Sequence, residues 1–98
     1  MNMWQSAKCK RILEHYGFDN QQEKLVEECE ELIEAAQGED WDHFIEELAD
    51  VRIMVEQMYY ALDPDQQKQY HEMVGFKIER TLQRMRDEKA PTVPGSDQ

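Results

Sequence analysis

Glu27-Glu28-Cys29-Glu30-Glu31 and Glu46-Glu47-Leu48-Ala49-Asp50 decide how this chain is read. The first word has the form E-E-x-x-E and the second contains E-x-x-D. In each, two carboxylates stand three residues apart, which on a helix sets them one turn apart on one side. Four carboxylates on two facing helices make a hard, oxygen-rich site of the kind that holds Mg²⁺ together with substrate phosphates.

The residues around the two words repeat at helical spacing, with no strand-like alternation. In the helix that carries the first word, Leu25, Val26, Cys29, Leu32, Ile33 and Ala36 form an apolar stripe. Glu28 and Glu31 flank that stripe with Lys24 and Ala35, while Glu27, Glu30 and Glu34 point further out. In the next helix the stripe is Phe44, Leu48, Val51, Val55, Met58, Tyr59 and Leu62. Glu47 falls inside its edge, between Met54 and Met58, and Asp50 lies one turn on at the rim. An ionised carboxylate half inside an apolar face is costly unless it is paired or bound to a metal. Acidic pairs at this spacing are common in a chain with 22 Asp and Glu residues, and most are solvated faces. The two words together, with Glu47 on an apolar edge, are more specific than either alone.

Four helices follow from the punctuation. The first is expected from Met3 to His15, with Gly17 just past its end. The second is expected after Asn20, with Glu23 three residues on in capping-box spacing, and to stop at Gly38. The third spans Trp41 to Leu62. Asp63-Pro64 supplies an N-cap and a proline at the first helical position, so a fourth helix starts there and reaches Lys89. Ala90 to Gln98, with Pro91, Pro94, Gly95 and Ser96, reads as a flexible tail. The expectation is an all-α chain, an antiparallel four-helix bundle over residues 1–89 with a tail over 90–98.

The bulk properties narrow the function. With 98 residues the chain is one small domain, and a small bundle gains from covering apolar surface by oligomerising. A net charge of −11 argues against nucleic acid or an anionic membrane as partner. An anionic substrate therefore needs a bound divalent cation to invert the local field. Cys9 and Cys29 lack metal-ligand or C-x-x-C spacing and read as reduced thiols of a cytoplasmic protein, Cys29 as a small core residue. No apolar run is long enough for a signal peptide or a membrane span.

The string Lys24-Leu25-Val26-Glu27-Glu28-Cys29-Glu30-Glu31-Leu32, followed by Glu46-Glu47-Leu48-Ala49-Asp50-Val51, resembles the E-E-x-x-E … E-x-x-D signature of the MazG-like all-α nucleoside triphosphate pyrophosphohydrolases. Lys77-Ile78-Glu79-Arg80 resembles the K-x-E-R segment of their last helix. The resemblance implies Mg²⁺-dependent cleavage of a nucleoside triphosphate to the monophosphate and pyrophosphate, with Mn²⁺ as a substitute ion. It implies Glu28, Glu31, Glu47 and Asp50 as metal ligands, and Lys77, Arg80 and more weakly Lys24 as phosphate contacts. Glu27 and Glu46 are both candidates to accept the proton of the attacking water. A homodimer or homotetramer is expected. The chain departs from some members in having Thr81 directly after K-x-E-R, and His43 where those carry lysine. Arg52 reads as a subunit contact or a core-edge residue. Trp4, His15, Tyr16, Phe18, Gln21 and Gln22, with Trp41, Tyr59 and Tyr60 as alternatives, are the residues available to meet a base. The superfamily also contains dimeric dUTPases and phosphoribosyl-ATP pyrophosphohydrolases, so the substrate stays open. A non-catalytic acidic helical binder is the competing class, and it predicts no Mg²⁺ affinity at these carboxylates. A di-iron bundle needs Glu-x-x-His pairs, which the chain lacks.

Overall fold

The computed structural model describes residues 1–89. Four helices follow one another, α1 (Met3–Tyr16), α2 (Phe18–Gln37), α3 (Trp41–Ala61) and α4 (Pro64–Lys89), and no strand occurs among the described residues. The chain is all-α, as its helical spacing implies. The expected tail, Ala90 to Gln98, lies outside the described residues.

Asn2 caps α1 through a capping box: its side chain accepts from the Gln5 N–H at 2.9 Å, and the Gln5 side chain accepts from the Asn2 N–H at 3.2 Å. Gly17 ends the helix at φ 84, a conformation that favours glycine, and its N–H bonds the Leu13 carbonyl at 2.8 Å. The chain re-enters helix at once, so α2 begins at Phe18 and not after Asn20. Asn20 is no N-cap. Its Nδ2 donates to the Tyr16 carbonyl at 2.8 Å, serving the open end of α1. Gly38 closes α2, and Asp40 caps α3 by accepting from the Asp42 and His43 amides at 3.0 and 3.3 Å.

Helices α1 to α3 make up one compact unit, Met1–Asp63, and α4 belongs to a second, Pro64–Gln98. Within the first unit α2 and α3 form the most extensive pairing, and α1 packs chiefly on α3. The α2–α3 pair is antiparallel: Gln21 meets Gln57, Glu28 meets Asp50, and Glu31 meets Glu47. Each step along α2 is matched by an equal step back along α3.

The seam between these helices differs from the one their apolar stripes suggest. Gln21, Glu28 and Ala35 are buried on α2, and Glu47, Met54 and Gln57 on α3. By contrast Val26 is 55% exposed, Ile33 59% and Leu48 49%, and Cys29 is half-buried. The apolar stripe and the seam are thus two faces of each helix, rotated by about one residue, roughly 100°. Helical phase puts Cys29 and Ile33 on the same side of the pair as Ile45 and Leu48. On α1, Cys9 and Leu13 are buried. Helix α4 has no buried residue. No helix among the described residues is long and apolar enough to cross a membrane.

Candidate metal centre

Glu28 on α2 and Glu47 on α3 are buried, 6% and 7% exposed, at the level where the seam is polar. Asp50, one turn on from Glu47, is half-buried. One carboxylate oxygen from each of the three lies within 4.8 Å of the others. Glu31 is in hydrogen-bonding reach of both Glu47 and Glu28. The four carboxylates singled out in the two acidic words are therefore neighbours, with Glu28, Glu47 and Asp50 as the tight set.

A lysine and a histidine flank this cluster, one at each end along the antiparallel pair. Lys24 Nζ stands 3.2 Å from Glu28 Oε1, and His43 Nε2 stands 3.5 Å from Glu47 Oε1. Both pairs are separated by one helical turn, and each engages a single oxygen. The second oxygens, Glu28 Oε2 and Glu47 Oε2, are sealed from solvent and have no hydrogen-bond partner. Such atoms are costly to bury bare. They fit a divalent cation, which takes carboxylate oxygens at short range and offsets their charge.

The electrostatics agree with the geometry. Burial, then contact with Glu47 and Glu28, pushes the Glu31 carboxyl up to about 7. Burial and the nearby Glu28 and Glu46 push the Asp50 carboxyl above its ordinary range. Glu28, with Glu27 beside it, holds the Lys24 ammonium above the usual lysine value. Like charges crowded together resist ionising together.

The remaining residues singled out in the sequence fall elsewhere. Glu27 is exposed and pairs with Lys24 at 3.5 Å. Glu46 is exposed, close enough to raise the Asp50 carboxyl. Lys77 and Arg80 are exposed on α4, where Arg80 stacks over the Phe76 ring at 5.8 Å. The pairing of His43 with Glu47 was legible only as a one-turn spacing. Arg52 approaches Glu56 at 4.0 Å.

A cleft of about 500 Å³ opens beside the acidic cluster, with Lys24, Glu28 and Asp50 in its wall. Residues 17–87 match the MazG nucleotide pyrophosphohydrolase domain, a span that contains both acidic words and the K-x-E-R segment. The chain belongs to the MazG nucleotide pyrophosphohydrolase family. No curated protein and no solved structure matches it. Membership implies nucleotide pyrophosphohydrolase activity in general.

Proposed function

We propose that this MazG domain hydrolyses a nucleoside triphosphate to the monophosphate and pyrophosphate, with Mg²⁺ held by Glu28, Glu47, Asp50 and Glu31. The observation that carries this reading is the pair of sealed, unpartnered oxygens on Glu28 and Glu47 inside a cluster of carboxylates. An apolar protein interior has no use for them, and a non-catalytic acidic surface would leave them in water. The chemistry such an ion supplies is neutralisation of phosphate charge and acidification of water. Mn²⁺ accepts the same ligands.

The reaction adds water across the anhydride between the α and β phosphorus atoms. One P–O bond breaks, pyrophosphate leaves, and the water proton passes to a base. Glu27 and Glu46 both border the cluster and serve as candidates for that base. Lys24 presents its ammonium at the mouth of the cleft, where it can transfer from Glu28 to a phosphate oxygen. For Lys77 and Arg80 the support is their place in the K-x-E-R segment. The protein acts as a homo-oligomer, dimer or tetramer, and its setting is the cytoplasm.

The test is pyrophosphate release from a panel of nucleoside triphosphates, with Mg²⁺, with Mn²⁺ and with chelator. Metal-dependent release is the expected result. A folded protein that releases none from any member, in either ion, removes the reading.

A further inference from the structure

The seam between α2 and α3 holds one polar contact that the acidic cluster does not explain. Two turns from Glu28 on α2, and two turns from Asp50 on α3, the Gln21 Nε2 donates to the Gln57 Oε1 at 2.7 Å. Both side chains are buried, 7% and 1% exposed, and both line the cleft that reaches the acidic cluster. Gln57 is the most enclosed large side chain of the described residues. Its own Nε2 faces the Met54 thioether at 3.7 Å.

That arrangement fixes which way the amides point. A thioether only accepts, so the nitrogen of Gln57 belongs on the Met54 side and its carbonyl on the Gln21 side. Gln21 must then turn its nitrogen to Gln57, which leaves its own carbonyl over. Among the described residues nothing donates to that carbonyl. It is not one of the sealed unpartnered atoms, which are Glu28 Oε2 and Glu47 Oε2, so it keeps some contact with solvent, and Gln21 lines the cleft. Its acceptor and remaining N–H are therefore groups that a ligand in the cleft can take up in place of water.

Seven residues of helix separate the amide pair from the acidic cluster, about 10 Å along the axis. A nucleotide whose phosphates lie at the carboxylates has its base at that remove. Ile12, Ile53 and Met54 supply apolar wall for a flat ring, and Tyr16 and Asn20 border it. We propose that Gln21 reads the pairing edge of the substrate's base, accepting from a base N–H, and that Gln57 is the positioning residue that aims it. The inference rests on the nucleotide reading of the same cleft and adds its specificity device. A site built to hydrogen-bond a base edge discriminates strongly against a base that cannot complete the bonds.

The first experiment follows the side-chain amide resonances of Gln21 and Gln57 as α,β-imido analogues of the adenine, guanine, cytosine and uracil deoxynucleoside triphosphates are added with Mg²⁺. One base is expected to move the Gln21 amide strongly, and Gln57 with it. The second compares Gln21→Met and Gln57→Met, near-isosteres without the amide, by kcat and KM on the best and the worst base. Both should shrink the ratio of kcat/KM between the two bases by 10-fold or more, mainly through KM, while melting stays cooperative. If the analogues bind but the Gln21 amide does not move, or if both bases lose rate in parallel, the base-reading role is overturned and the phosphate reading stands. If no analogue binds to the folded protein with Mg²⁺, both fall together.

Discussion

The two buried glutamates of the MazG seam are incompletely satisfied by the protein itself. Each has one oxygen turned to a basic side chain and one sealed among carboxylates with no hydrogen-bond donor. Replacing Glu47 with Gln should lower metal-dependent pyrophosphate release by at least about 100-fold, beyond what loss of a supporting group usually costs. The same change should raise the melting temperature of the metal-free protein, because one of several crowded like charges is gone. Loss of activity together with loss of stability would mean that Glu47 is a structural residue. The crowding also predicts a pH dependence. The Glu31 carboxyl is raised from 4.5 to about 7, so the folded chain binds this proton more tightly than the unfolded chain. Its contribution to stability is complete below pH 4.5, declines as pH rises, and is lost above about 7. The Asp50 carboxyl, also raised, acts in the same direction. Melting temperatures with chelator should therefore fall between pH 5 and pH 8, and saturating Mg²⁺ should flatten or reverse the slope. An increase with pH in chelator would refute the crowding. At this scale the sequence was informative where chemistry is repetitive: the four carboxylates announce themselves by spacing. The Gln21–Gln57 contact does not, because two glutamines 36 residues apart carry no periodic signal until the register of the helices is known.

Helix boundaries were legible where a single residue has one job, and were not where it has two. Pro64 starts a helix as the preceding Asp63 implies, Trp41 starts one where the sequence expects it, and Gly17 ends one. Asn20 has the composition of an N-cap, yet the open carbonyl of Tyr16 lies four residues back and takes its amide instead. With a capping spacing on one side and a helix end on the other, the sequence alone does not say which the amide serves. The faces of α2 show the same ambiguity. Its apolar residues define one stripe and Gln21, Glu28 and Ala35 another, and packing chose the second for the seam. Helix α3, which carries Glu47 and Asp50, is capped by Asp40. Asp40→Ala removes the acceptor of two amides and should destabilise the protein by about 1 kcal/mol in urea unfolding. An unchanged midpoint would show that the first turn of α3 is held by packing. Since Glu47 sits on the second turn, the same variant should also bind Mg²⁺ less tightly.

At the level of the whole molecule the unused stripe becomes the main fact. Ile33, Ile45 and Leu48 are 59%, 60% and 49% exposed, and helical phase brings them to one side of the α2–α3 pair. Single exposed apolar residues are ordinary, but a run shared by two paired helices is the mark of an interface. The self-association proposed above would use this surface. The surface is apolar and small-residue Cys29 lies within it half-buried, so a second copy of the same face can close on it without burying a charge pair, which a symmetric contact requires. A net charge of −11 would otherwise drive copies apart, so an apolar contact has to outweigh that repulsion. On the proposed assembly, the exposed part of the stripes that sequence periodicity assigns to a core would be covered by a second copy. Light scattering should give a mass at least twice the 11.7 kDa of one chain. Ile33→Lys combined with Leu48→Lys should return it to a single chain with helicity retained, because neither side chain lies in the seam that holds the acidic cluster. A wild-type mass of 11.7 kDa at assay concentrations would assign the stripe to something other than a second copy. A charged double variant that stays assembled would move the interface to another face.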